Sequence, residues 1–162
     1  MKPFAKTRGT DKPNRVGRVY VMSIDPGLNT GWAVWLEDED YSLCACGVGE
    51  PPSIFPPPVA VTIEKPQVYP RMKVPPNDLI ALAVTVGRLA ARWEASDVSF
   101  VTPHEWKGST PKDIHNARVL ASLSASELEV VKMADRVVPK GQRNNMIDAI
   151  GIGLFAYRGK KL

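Results

Sequence analysis

SIDPGLNTGWAVW, residues 23 to 35, reads as the end of an apolar strand that stops on Asp25, a tight Pro-Gly turn and a second apolar strand. The run before the turn alternates between two faces, one with Val19, Val21 and Ser23 and the other with Tyr20, Met22 and Ile24. This alternation predicts a strand in a sheet that is covered on both sides. A carboxylate at the end of such a strand is costly to desolvate unless it holds a cation or a hydrogen-bonded partner. Asp25 therefore either forms the turn, since Asp, Pro and Gly dominate turns, or holds a ligand.

The strands predicted along the chain share apolar, β-branched character and turn residues at their ends. Five are predicted, the first three as an antiparallel meander, over residues 18–25, 31–37, 41–48, 59–64 and 98–103. The fourth, VAVTIE, ends on Glu64 as the first ends on Asp25. The EPPSIFPPP segment before it is too short and too rich in proline to form a helix. The pattern predicts an α/β domain in which the strands that end on Asp25 and Glu64 could lie side by side in one sheet.

Four helices are predicted from apolar periodicity and from residues typical of helix ends. They begin at Asn77 or Asp78, at Pro111 with Thr110 as the N-cap, after Ser124, and at about Asn144. The last two end at about Ala134 and Tyr157. Ser124 and Glu127 form a capping box for the third helix. HEWKGS, residues 104 to 109, is predicted to be irregular.

The basic charge of the chain is concentrated at its ends. Residues 1–18 contain six Lys or Arg and one Asp, a net +5, which leaves −1 of the total of +4 for the rest. Residues 1–17 are therefore predicted to be a flexible basic tail, residues 18–158 one folded domain, and residues 159–162 a second basic end. Such ends either contact a polyanion or only keep the protein soluble. No apolar run resembles a membrane span or a secretory signal, so a soluble cytoplasmic protein is expected.

A third acid, Asp148, interrupts the apolar stretch MIDAIGIGLFAY in the last predicted helix. Alone it is either an exposed residue or one that interacts with the helix dipole. A helix packed over the sheet could instead bring Asp148 to the ends of the strands that carry Asp25 and Glu64. Three clustered carboxylates repel one another unless hard cations neutralise them, and Mg²⁺ suits carboxylate, water and phosphate oxygens. Two such ions about 4 Å apart promote phosphodiester hydrolysis, which predicts an enzyme that hydrolyses nucleic acid.

The chain resembles the RuvC-type Holliday-junction resolvases in four stretches, SIDPGLNTGWAVW, VAVTIEKP, PHEWK and NMIDAIGIG, in this order. The resemblance covers about residues 18 to 158 and implies a ribonuclease H-like fold, with a five-stranded mixed sheet flanked by helices. It also implies a homodimer that nicks four-way DNA symmetrically with Mg²⁺, for which Mn²⁺ substitutes, as a crossover junction endodeoxyribonuclease. Asp25, Glu64 and Asp148 match the catalytic acids of the family, and Lys107 matches a basic residue near the scissile phosphate.

Further residues follow from the resemblance, each beside an ordinary structural interpretation. Tyr69 is either the aromatic residue that stacks at the junction centre or a loop residue packed on a proline. Four basic residues lie where phosphates could pass the acids, or are ordinary solvated side chains: Arg71, Lys73, Lys140 and Arg143. Asn145 stands where the family usually has a fourth acid or a histidine, and it either ligates a second ion or hydrogen-bonds a ligand. The family also normally carries a helix where EPPSIFPPP stands, so either the sheet face is less covered there or the protein is a shortened, phage-like form.

Two other classes share parts of this pattern. The actin-like ATPases begin their first strand turn in a similar way, but they need two such domains around a nucleotide and are therefore longer than this chain. A noncatalytic nucleic-acid-binding relative with a degenerate acidic site is the second alternative, which the missing fourth acid favours. The long helix carries the small residues Ala81, Ala83 and Gly87. It either forms a dimer face or is part of the buried core.

Overall fold

The computed structural model describes residues 17–54, 56–68, 73–93 and 96–160. Within these ranges the sheet consists of β1 (Tyr20–Asp25), β2 (Gly31–Leu36), β3 (Ser42–Val48), β4 (Ala60–Glu64) and β5 (Asp97–Val101). The α-helices there are α1 (Pro76–Arg92), α2 (Pro103–Trp106), α3 (Lys112–Ala121), α4 (Ala125–Asp135) and α5 (Arg143–Arg158). A 3₁₀ turn, Lys140–Gln142, precedes α5. None of the helices so described has the length and apolar character that crossing a bilayer requires.

The five strands lie in the order β3-β2-β1-β4-β5. β1 pairs antiparallel with β2, and β2 pairs antiparallel with β3, which confirms the predicted meander. β1 is parallel to β4, and β4 is parallel to β5, so the sheet is mixed. Ile24 pairs with Ile63 in the parallel strands β1 and β4. Asp25 and Glu64 are the next residues of these two strands, so both lie at the same edge of the sheet. The predicted α/β fold class is confirmed.

Both faces of the sheet are covered, as the alternation in β1 predicts. On one face Met22 and Ile24 pack with Ile63 of β4 and with Val86 and Leu89 of α1. On the other face the core includes Val21, Trp35, Val119, Val131, Ile150 and Leu154, contributed by β1, β2, α3, α4 and α5. The carboxylates at the ends of β1 and β4 are therefore held by a sheet that is apolar on both sides.

α5 lies directly against β1 and β2. The Ser23 hydroxyl donates to the Ala149 carbonyl oxygen (2.7 Å) and accepts from the Trp35 indole (2.9 Å). At the other end of the helix the Tyr157 hydroxyl donates to the Met22 carbonyl oxygen. Gly31 permits the closest approach, since a Cβ atom there would lie 1.9 Å from the Asn145 carbonyl oxygen. These contacts hold α5 against the sheet at both ends and at its middle.

The helix ends differ from the sequence prediction in three places. α1 begins at Pro76, because proline is well suited to the first turn of a helix. The prediction that Thr110 caps α3 is wrong. Pro111, with a ψ of 143°, is the N-cap, and its carbonyl oxygen accepts the first helical bond from His115. HEWKGS is not wholly irregular, because one helical turn, α2, begins at Pro103.

Two other local predictions are confirmed. Ser124 is the N-cap of α4, where the Glu127 carboxylate accepts from the Ser124 amide (2.8 Å) and the Ser124 hydroxyl accepts from the Glu127 amide (3.4 Å). The proline-rich segment contains no helix in its described residues, 50–54 and 56–58. The predicted basic tail, except for residue 17, lies outside the described residues, as do residues 161 and 162.

We expect Gly31→Ala to lower the free energy of unfolding by about 1–3 kcal/mol or more, because the new methyl group meets backbone that cannot move aside. Gly141→Ala is the control, since a Cβ atom there meets nothing within 4 Å. It should raise stability by about 0.4–1 kcal/mol through the unfolded chain. Urea unfolding of both variants measures the difference. Equal stabilities would show that α5 is not seated against β2 as described.

Candidate active site

Asp25 ends β1 beside a turn that is held at several points. The Thr30 hydroxyl donates to the Gly27 carbonyl oxygen (3.0 Å), and the Gly49 amide donates to the Thr30 carbonyl oxygen (2.8 Å). From α5, the Asn145 side-chain amide donates to the Asn29 carbonyl oxygen (2.7 Å). Asp25 itself is partly buried, and none of the described residues donates a hydrogen bond to its carboxylate. The turn is therefore stabilised without the Asp25 side chain, which argues against a turn-forming role for this acid.

Glu64 ends β4 and is held from α2. The Trp106 indole N–H donates to Glu64 Oε2 at 2.6 Å. Trp106 is 1% exposed, so this bond is made from inside the core to a partly exposed carboxylate. Oε1 remains for another partner, because a carboxylate offers two oxygens with about two lone pairs each.

Asp148 lies in α5 and is buried. Its Oδ2 is 3.9 Å from the Lys107 Nζ, and its Oδ1 is 3.9 Å from the His115 Nε2. Burial lowers the pKa of His115, with Asp148 acting in the opposite direction, so this imidazole is neutral at neutral pH. Lys107 is consequently the charged partner of Asp148.

The three acids form one electrostatic cluster. Burial raises the pKa of Asp25 well above its usual range, and the charges of Glu64 and Asp148 raise it further. Lys107 and Lys112 act in the opposite direction on Asp25. The pKa of Glu64 is also raised, first by burial and then by Asp148, against Lys107 and the Trp106 hydrogen bond. The structure thus brings together the acids of β1, β4 and α5, as the sequence predicts, with Lys107 beside them.

The cluster is not a closed metal cage. Among residues 17–54, 56–68, 73–93 and 96–160, no group of three or more His, Cys, Asp and Glu side chains has the arrangement of a metal site. The chemistry of the donors nevertheless fits a hard divalent cation, since all three acids offer carboxylate oxygens. Asp25 in particular combines a desolvated carboxylate with two repelling neighbours, and a cation would relieve both effects.

The other predicted site residues lie around this cluster in different ways. Lys73 and Lys140 are exposed. The Arg143 guanidinium is engaged within the fold, because it contacts an Asp135 carboxylate oxygen (3.3 Å) and donates to the Asp135 carbonyl oxygen (2.9 Å). The side-chain amide nitrogen of Asn145 donates to the Asn29 carbonyl oxygen in the turn after Asp25. Tyr69 and Arg71 lie outside the described residues.

Sequence reasoning missed three residues of the site: Trp106, His115 and Lys112. Trp106 and His115 are 1% exposed and meet edge to face, with ring centroids 4.9 Å apart. Lys112 begins α3 and lowers the pKa of Asp25. A signal existed for Trp106, because an indole N–H beside the predicted Lys107 requires an acceptor when it is buried. No signal marked His115, whose position follows from how α3 packs on α5.

No protein-family profile and no curated protein matches the chain. Among solved structures, the fowlpox virus Holliday junction resolvase matches with a TM-score of 0.50 and 12% identity, over 84% of this chain and 95% of that chain. Thermus thermophilus RuvC matches with a TM-score of 0.41 and 18% identity, over 87% of this chain and 97% of that chain. T. thermophilus RuvC in complex with a Holliday junction substrate matches with a TM-score of 0.44 and 18% identity, over 84% of this chain and 91% of that chain.

The likeness to the fowlpox virus structure supports the fold class. The mixed five-stranded sheet flanked by helices and the likeness to the fowlpox virus structure show a ribonuclease H-like fold. The predicted ribonuclease H-like fold is confirmed.

We expect Asp25→Asn to stabilise the protein at neutral pH, in the absence of metal, by about 1 kcal/mol, or about 2–4 °C in Tm. The raised pKa of Asp25 means that the folded state binds this proton more tightly than the unfolded state. The ionised carboxylate therefore destabilises the fold above its folded pKa. The advantage of the variant should shrink as the pH falls toward the ordinary carboxyl pKa of 3.8. Thermal unfolding in EDTA across this pH range measures it.

Asp38→Asn is the control of opposite sign. Although burial acts in the other direction, hydrogen bonds from the Ser42 side chain and from backbone amides lower the pKa of Asp38. This substitution should destabilise the protein at neutral pH and have less effect as the pH falls. If Asp25→Asn instead behaves like Asp38→Asn, burial and the neighbouring acids do not raise the pKa of Asp25.

Proposed function

We propose that this protein is a metal-dependent endonuclease that resolves four-way DNA junctions by paired, symmetrical nicks. The observation that carries the proposal is the meeting of Asp25, Glu64 and Asp148 from β1, β4 and α5, where burial and then repulsion by the other two acids raise the pKa of Asp25. The stability of the fold does not account for three such acids, because uncompensated buried charge is destabilising. A cation-dependent function accounts for their retention.

Asp25, Glu64 and Asp148 would hold Mg²⁺, or Mn²⁺ in its place, and the Oδ1 atom of Asn145 is left to assist a second ion. When bound, two such ions lower the pKa of water and stabilise charge on the attacking and leaving oxygens of a phosphodiester. Lys107, 3.9 Å from Asp148, would counter the charge of the phosphate. Lys112 at the start of α3 adds a second positive charge on the same side.

The choice of a four-way junction rests on the RuvC-type motifs of the chain and on the fold it shares with the fowlpox virus Holliday junction resolvase. Exposed Lys73 and Lys140, with Arg71 and Arg143, are proposed to contact the DNA arms, where phosphate contacts fix orientation. Tyr69 is proposed to stack at the junction centre. We propose that the site works in the cytoplasm of a bacterium or of a phage-infected cell.

A noncatalytic junction-binding protein is the second candidate, favoured by the Asn145 amide, which adds no charge and is bonded to the turn after Asp25. Incubation of the full chain with a labelled four-way junction in Mg²⁺, Mn²⁺ or EDTA separates the two. Paired nicks that require the metal support the nuclease. Binding without cleavage in either metal supports the second candidate.

Asp25→Asn should abolish cleavage and keep or strengthen junction binding, because one repulsive charge next to the phosphate is removed. The expected loss in cleavage rate is at least about 10²-fold, since a metal-dependent hydrolysis loses several kcal/mol of charge stabilisation. Asp97→Asn is the matched control, because Asp97 is exposed and pairs with Ala60 at the opposite end of β4 from Glu64. Equal cleavage by wild type and Asp25→Asn would refute the role of Asp25, and lost binding by Asp25→Asn would indicate misfolding.

We also propose that the protein is a homodimer formed through α1. Only Val86 and Leu89 of this helix are buried, whereas Ile80 and Val84 are 61% and 66% exposed. Ile80, Val84 and Gly87 recur at i, i+4 and i+7 and so form one exposed stripe on the side opposite Leu89. Ala81 and Ala83 are exposed beside it. Small and apolar residues on one helix face allow a second copy to approach closely about a two-fold axis.

Val84→Glu should convert a dimeric wild type into a monomer, because a charge in an apolar interface is left without solvent or partner. Sedimentation equilibrium at micromolar concentration measures the mass. Val137→Glu is the control, since Val137 is 82% exposed and lies after α4, on a different element. A monomeric wild type, or a dimer that persists in Val84→Glu, would overturn an interface on α1.

A further inference from the structure

Trp106 makes the only direct hydrogen bond that the described residues provide to a carboxylate of the acidic cluster. Its indole N–H donates to Glu64 Oε2 at 2.6 Å, across 42 residues of sequence. The Asp148 contacts are longer, at 3.9 Å to Lys107 and to His115. Glu64 is therefore the acid whose orientation a neighbouring side chain fixes most directly.

The Trp106 ring is itself held rigidly. It meets His115 edge to face at a centroid distance of 4.9 Å and an interplanar angle of 71°. Lys107 Nζ lies 4.6 Å from the ring centroid. α5 permits this packing only because residue 151 is glycine, since a Cβ atom there would lie 2.6 Å from Trp106 Cζ3 and 3.2 Å from His115 Nε2.

The short helix that carries Trp106 is also anchored at its start. The Glu105 carboxylate accepts from the Thr102 amide (2.6 Å) and from the Thr102 hydroxyl (2.8 Å). Thr102 directly follows β5, which pairs with β4 up to Glu64 opposite Val101. The donor and the acceptor of the indole bond are thus mounted on two adjacent strands of one sheet.

We propose that Trp106 is a positioning residue that binds Glu64 Oε2 so that Oε1 faces the cation. The inference rests on the proposed metal-dependent function and deepens it. Outer-shell hydrogen bonds orient carboxylate ligands, and their loss typically costs about 10–100-fold in metal affinity or activity. A carboxylate with one oxygen taken by a neutral donor keeps its full charge and loses the freedom to rotate.

Trp106→Phe tests this, because it keeps an aromatic ring and removes the N–H donor. Trp93→Phe is the matched control. Trp93 is also buried, has the Arg92 guanidinium 5.0 Å from its ring centroid, and lies on the opposite face of the sheet. Its indole N–H donates to no described residue, so the control loses ring volume but no hydrogen bond.

The first measurement is Mn²⁺ binding to the DNA-free protein, followed by electron paramagnetic resonance. We expect about 10-fold or greater weakening in Trp106→Phe, and less than about twofold change in Trp93→Phe. The second is cleavage of a four-way junction under saturating DNA, where Trp106→Phe should lower kcat with an unchanged Kd for the junction. Raising the Mn²⁺ concentration should restore part of this loss.

Where Trp106→Phe fails to fold by circular dichroism, 3-benzothienylalanine at position 106 replaces it, since this analogue exchanges only the N–H for sulfur. Three results would overturn the role of Trp106. They are an unchanged Mn²⁺ affinity in the protein altered at position 106, an equal weakening in Trp93→Phe, and no Mn²⁺ binding by wild type. A wild type that binds Mn²⁺ but cuts no junction refutes the proposed nuclease. The Mn²⁺ comparison between the variants still decides the role of Trp106 in that case.

Discussion

The close seating of α5 on β1 and β2 is the constraint on which the rest of the site depends. Gly31 and the bond from the Ser23 hydroxyl to the Ala149 carbonyl oxygen allow the helix backbone to approach the sheet closely. Asp148 is adjacent to Ala149, and Asp25 lies two residues after Ser23, so this contact brings the two acids into electrostatic range. A looser helix would separate them, and their charges would then be solvated independently.

The acidic cluster opposes the stability of the fold that creates it. Burial and mutual repulsion raise the pKa values of Asp25 and Glu64, whereas Lys107 lowers both. A bound ligand can offset this burial and repulsion, and perturbed carboxylates of this kind mark functional sites. Elsewhere the chain satisfies its buried acid fully, since Glu127 accepts from Leu43, from Ser124 and from Arg158. The contrast between Glu127 and Asp25 separates a structural carboxylate from a candidate ligand.

Local signals predicted most of the fold. The alternation in β1 predicted two covered faces, and the capping residues Ser124 and Glu127 predicted the start of α4. The errors fall where two local signals compete. Thr110 and Pro111 both favour a helix start, and the extended ψ of Pro111 decides that the helix begins one residue later. α2 was missed because a single turn is too short to show periodicity, although Thr102 and Glu105 provide a cap.

The sequence by itself determined the strands, the two strand ends that carry Asp25 and Glu64, and the unusual acid in an apolar helix. These features depend on residue type and on spacing along one element, and both can be read from the sequence. Only the tertiary structure decided that Trp106 binds Glu64, that His115 is buried beside Asp148, and that Asn145 holds the turn at Asn29. Each of these contacts joins residues more than 30 positions apart, so it depends on how helices are oriented over the sheet and on which rotamers that packing allows.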